Sequence, residues 1–234
     1  MNFQTELESY IRAGYPILYV TALEPVRAST AIEKVCEGIS GGLSCHIWKI
    51  TNGWDNTGQG DDPDEIFSAI DKFADNSVAI LHNYHAFIGE NPDPVRVQLV
   101  MDAYNRWKGK GFNRTVIILS PIYKIAPELE RFVQNLTYTL PDNEQITGIV
   151  DRFADVYKDT FTWESPEHRN RVIANASGMT EDEVESSLAL SVVKSKAIND
   201  APKIDADFIM DEKAKILEKL SLIHISEPTR LGMI

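Results

Sequence analysis

Three short stretches carry side chains of the kinds that handle phosphate, protons or metal. The first follows the apolar run Ile17-Leu18-Tyr19-Val20 and reads Thr21-Ala22-Leu23-Glu24-Pro25-Val26-Arg27-Ala28-Ser29-Thr30. A backbone cradle for phosphate at this place needs G-x-x-x-x-G-K-[ST]. The glycines let successive N–H groups wrap the phosphates, the lysine neutralises charge and the hydroxyl holds Mg²⁺. Neither the glycines nor the lysine is present. Glu24 adds a like charge where phosphate would sit, and Pro25 removes an N–H donor from the turn. Of the candidate groups Thr21, Glu24, Pro25, Arg27 and Ser29, Arg27 could approach an anion, but a solvated surface arginine is the plainer reading.

The second stretch, His82-Asn83-Tyr84-His85-Ala86-Phe87, ends another strand-like run. Metal-assisted hydrolysis would require a carboxylate there to hold Mg²⁺ and a second to orient the attacking water. His82 and Asn83 stand in their place. His82 and His85 have an H-x-x-H spacing, but without a third ligand nearby they read better as hydrogen-bonded strand-end residues than as a metal pair. The third stretch is Ser120-Pro121, at the end of a further strand, where a nucleotide sheet often places a polar γ-phosphate sensor. Arg131, shortly after it, could act in trans as an arginine finger if subunits formed a ring; an ion pair with Glu128 is the plainer reading.

The elements that would position these residues alternate between strand-like runs and helical periods, which specifies an α/β fold with a mainly parallel sheet covered by helices. Strands are expected at 17–20, 45–50, 77–81, 115–119 and 136–140, about five in all. The helix after the first strand should turn Val26, Ala31, Ile32 and Val35 to a core, and residues 51–62, rich in Asn, Gly and Asp, should form an exposed, mobile loop. Beyond Pro141 only helical signals remain: Ser165-Pro166 as cap and first turn, a capping box at Thr180 to Glu183 before an apolar face of Val184, Leu188, Val192 and Val193, and a last helix over about 205–220. The expected division is an α/β domain at 1–140, a helical subdomain at 141–220 and a non-native tail at 221–234.

Composition narrows the classes of function. With 43% apolar and 25% charged residues the chain can bury a core, and it has no apolar run of membrane-spanning length. The N-terminus lacks the features of an export signal, so a cytoplasmic location is expected. A formal charge of −12, with scattered cations, argues against direct nucleic-acid binding. Cys36 and Cys45 lack the number and spacing of a disulfide framework or a zinc site and read as reduced packing residues.

Several segments, in order, carry a family likeness. They are Glu6-Leu7-Glu8-Ser9-Tyr10-Ile11-Arg12-Ala13-Gly14-Tyr15-Pro16-Ile17-Leu18-Tyr19-Val20, Leu119-Ser120-Pro121 with Pro127-Glu128-Leu129-Glu130, Leu140-Pro141-Asp142, the run Ala176 to Glu185, and Glu212 to Leu217. Together they resemble AAA ATPases of the plastid and cyanobacterial conserved-reading-frame type, which carry a degenerate AAA-like region before the true one. The resemblance spans about residues 5–220 and implies an AAA/P-loop-like core followed by a small helical lid-like subdomain. It also implies that a C-terminal AAA module of the parent protein binds ATP and Mg²⁺ and hydrolyses ATP, while this part holds no cofactor or metal, is inactive by itself and serves regulation or assembly. The expected partners are that module, neighbouring subunits of a ring and a protein substrate. Residues 221–234 depart from the family pattern and resemble adapter read-through. The competing reading is a stand-alone α/β enzyme or small-ligand binder that uses Glu24, His82 and His85.

Overall fold

The computed structural model describes residues 2–109, 114–157, 163–199 and 203–225, and divides into two compact units, 1–139 and 140–234. In the first unit, α1 (Phe3–Arg12) is capped by Asn2, whose side chain accepts the Thr5 N–H at 2.9 Å. β1 (Ile17–Ala22) leads directly into α2 (Pro25–Gly38), followed by β2 (Ser44–Lys49) and the short β3 (Gly53–Trp54). The chain continues through α3 (Ile66–Ile70), β4 (Ser77–His82), α4 (His85–Ile88), α5 (Pro94–Trp107) and β5 (Arg114–Ser120), then a 3-10 turn at Pro127–Leu129 and β6 (Gln134–Tyr138).

The sheet order is β3-β2-β4-β5-β1-β6, parallel throughout except for β3, which runs antiparallel to β2. The central strands β1, β4 and β5 are apolar without alternation because helices cover both faces. One face packs Ile17, Tyr19, Leu81, Val116 and Ile118 against α3 to α5, and the other packs Leu18, Val20, Ile80, Ile117 and Leu119 against α1 and α2. With β1 held between β5 and β6, the carboxyl ends of β1, β4 and β5 come to one edge, where open parallel sheets place their ligands.

The second unit contains α6 (Asn143–Val156), α7 (Pro166–Ala176), α8 (Glu181–Asn199) and α9 (Ala206–Ile225) around a core that includes Ile146, Val150, Val172, Met179, Val184, Leu188 and Ile209. Its helix starts are encoded locally. Asp142 and Gln145 form a reciprocal capping box, Ser165 caps α7, and the expected box at α8 is present, with Thr180 N–H donating to Glu183 Oε2 at 2.7 Å and Glu183 N–H to Thr180 Oγ1 at 3.2 Å. Lys213 on α9 donates to the Ser177 carbonyl at 2.6 Å, satisfying an acceptor at the end of α7.

Four expectations need correction. Among the described residues there are six strands and not about five, because Gly53–Trp54 forms the short β3 within 51–62; the rest of that segment is exposed as expected, with Asp55 accepting the Ile47 N–H at 2.8 Å and Trp48 donating to Gly60 O at 2.8 Å. Val26 is 77% exposed, since the buried face of α2 runs through Ala28, Ala31, Ile32 and Val35 at helical period and Val26 lies off it. Val193 is 64% exposed for the same reason: the buried row of α8 is Val184, Leu188, Val192, each four residues from the last. Finally, α9 continues to Ile225 instead of ending near 220. Most of the expected tail, residues 226–234, lies outside the described residues.

Candidate functional site

β1 ends at Ala22 and α2 begins at Pro25, so only Leu23 and Glu24 connect them. A phosphate cradle needs a longer run of free backbone N–H groups, ended by a lysine. Here the chain crosses the site too quickly to wrap anything. Glu24 is the N-cap of α2 and makes no side-chain cap bond. Its carboxylate, 8% exposed, instead accepts from Arg27 Nη1 at 3.0 Å, and the Arg27 guanidinium lies 5.1 Å from the centre of the Tyr138 ring. The helix N-terminus favours negative charge, and Glu24 supplies it from within the chain. Arg27 is therefore a half-buried, paired and stacked residue, which corrects its reading as a solvated surface arginine.

The other strand-end residues are also bound to the protein. Thr21 Oγ1 donates sideways to Asn135 Oδ1 on β6 at 3.4 Å. Ser29 is buried on α2, with its Oγ 3.4 Å from His82 Nε2. Burial, helped by the nearby Lys49 charge, pushes His82 down to about 4, so its imidazole is neutral near pH 7. Asn83 has φ of 57°, a left-handed conformation that asparagine tolerates, and its N–H donates to Leu119 O at 2.9 Å.

Ser120 is fully buried, with Oγ 2.8 Å from His85 Nδ1 and 2.9 Å from Ile122 O. Burial, then the Lys124 charge, lowers the His85 pKa as well. His82 and His85 thus bond to different serines, and among the described residues no three His, Cys, Asp or Glu side chains converge as a metal site would require. Arg131 is exposed, and among the described residues it does not form the expected ion pair with Glu128. Two tyrosines were missed from sequence. Tyr138 covers Arg27, and Tyr19, fully buried in β1, donates to Ile122 O at 2.6 Å and accepts the Lys124 N–H at 3.3 Å. A tyrosine inside a buried strand must find a partner for its hydroxyl, and that was the available signal for Tyr19.

Solved structures with this architecture place it in a class. The AAA domain of FIGL-1 in complex with ADP superimposes with a TM-score of 0.59 at 11% identity, over 99% of this chain and 88% of that one. A RuvB variant of Thermotoga maritima gives 0.54 at 12% identity, over 99% of this chain and 77% of that one. At such identities the likeness concerns the fold alone, and the fold is that of the AAA-type P-loop nucleotide-binding proteins.

Family comparison goes further. Residues 3–138 match the SpoVK-like AAA ATPase N-terminal domain, and residues 144–220 match the second domain of the same proteins. The chain belongs to the SpoVK-like AAA ATPases. A curated relative, the uncharacterized AAA domain-containing protein ycf46 of Guillardia theta, is 19% identical over 237 residues, covering 97% of this chain and 44% of its own length. The chain therefore spans less than half of that relative. Among the described residues no helix is long and apolar enough to cross a membrane.

Proposed function

We propose that this chain is the non-hydrolysing regulatory or assembly part of a longer AAA ATPase, whose ATP-binding and ATP-hydrolysing module follows it. The observation that supports this most is the two-residue connection between β1 and α2, with the Glu24–Arg27 pair at the helix N-terminus. A bound polyphosphate would meet the Glu24 carboxylate, would find no N–H at Pro25, and would have to break a shielded ion pair to use Arg27. The strand ends that would handle Mg²⁺ and water carry neutral His82, Asn83 and buried Ser120, and none of these supplies a carboxylate.

In this reading the scaffold is kept for its surfaces. The α/β unit contacts neighbouring subunits or the following module, and ATP turnover elsewhere in the protein remodels a protein substrate. ATP and Mg²⁺ belong to that other module, and the site is cytoplasmic. The test is a steady-state phosphate-release assay on this chain with Mg-ATP. Background rates are expected, unchanged by Glu24→Ala or His82→Ala. Mg²⁺-dependent turnover above background that either substitution abolishes would overturn the reading.

A further inference from the structure

The helix α8 is apolar on two sides. Its buried row, Val184, Leu188 and Val192, packs into the core of the helical unit, while Ala189, Leu190 and Val193 lie on another side, Leu190 39% and Val193 64% exposed. A helix that is apolar all round is one that other elements cover. Two furrows flank the exposed side. One, of about 550 Å³, lies between α6 and α8 and has Phe153, Val156, Tyr157 and Ala189 in its wall. The other, of about 240 Å³, lies between α8 and α9 and includes Leu190 and Ile216. Ser186 lines both, so α8 forms a low ridge between them.

Negative charge gathers toward the start of α8. Asp182, Glu183 and Glu212 border the smaller furrow. Glu185 borders the larger, where the one lining cation, Arg152, already pairs with Glu181 at 2.6 Å. Asp182 and Glu185 are exposed and, among the described residues, form no ion pair.

We propose that this face docks an amphipathic helix of a partner protein, apolar where it lies over Ala189, Leu190 and Val193 and rich in lysine or arginine at the end over Asp182 and Glu185. Apolar side chains spaced i, i+3, i+4 and i+7 on that helix straddle the α8 ridge and enter the furrows on either side. Ser186 and Ala189 are small, so the two helices approach closely. Charge disfavours a second copy of this chain as the occupant. Laid parallel, α8 of the second copy would set Asp182 and Glu185 against their own counterparts; laid antiparallel, it would press them onto Leu190 and Val193.

The experiment titrates the whole isotope-labelled chain with a synthetic amphipathic peptide of leucine, alanine and lysine and follows the backbone amide signals. Saturable shifts confined to the end of α6, to α8 and to the adjoining turns of α9 are expected. Leu190→Glu with Val193→Glu, both at exposed positions, should raise Kd about tenfold or more. Asp182→Asn with Glu185→Gln should raise it about threefold. Equal binding of a scrambled peptide of the same composition, shifts spread over the acidic surface of the chain, or no binding would overturn the proposal. So would sedimentation showing that the unaltered chain self-associates and that Leu190→Glu abolishes it, because a second copy would then cover the face. The scrambled peptide on the unaltered chain decides the matter even if a variant fails to fold.

Discussion

The Glu24–Arg27 pair and His82 set the chemistry at the sheet edge, and both make measurable claims. Replacing Glu24 by alanine strands a half-buried guanidinium beside Tyr138, and should cost about 1–3 kcal/mol by urea denaturation. Arg27→Ala added to Glu24→Ala should cost less than the sum of the two single changes. Strict additivity in that double-mutant cycle would show that the pair is not coupled. For His82 the folded-state pKa of about 4 lies below the ordinary 6.5, so the unfolded chain binds more protons between those values and stability falls as pH falls through that window. Allowing for solvent screening of a half-buried ring, the loss is on the order of 1–2 kcal/mol. His82→Gln should flatten the pH dependence of the urea midpoint between 6.5 and 4. An unchanged profile would place the titrating group elsewhere. Sequence showed that Glu24 and Pro25 oppose phosphate, since residue type alone decides it. It did not show that Arg27 is paired and stacked, because Tyr138 arrives from a strand more than a hundred residues later.

At the scale of elements, the parallel strands and the caps were legible because each follows from local pattern: continuous apolar runs for β1, β4 and β5, and Thr180 with Glu183 for α8. The hairpin at 51–62 was not. Its Asn, Gly and Asp residues resemble those of any exposed loop, and the contacts that pair β3 with β2, through Trp48 and Asp55, depend on how the chain folds back. Gly53 shows this best. With φ of 63°, a Cβ at this position would collide with the Gln59 backbone. Gly53→Ala should therefore destabilise by more than the roughly 1 kcal/mol of an ordinary left-handed alanine, and should speed amide exchange at Trp54 and Asp55. Wild-type exchange rates in that variant would contradict the packing described. Val26 and Val193 were misplaced for the opposite reason. Both are apolar residues on exposed positions, and a count of apolar types cannot tell which side of a helix is covered.

For the whole molecule, the net charge and the β1–α2 connection each make a measurable claim. With −12 net charge and no clustered cations, the chain should not retain duplex DNA in a gel-shift assay at physiological salt, and retention that weakens steeply with added salt would contradict this. The family and the fold are those of a nucleotide-binding protein, while the connection between β1 and α2 is two residues long and filled by its own ion pair. Calorimetric titration of Mg-ATP into this chain tests that conflict most directly. The predicted result is no saturable heat at millimolar ATP, and saturable binding with micromolar affinity would contradict it.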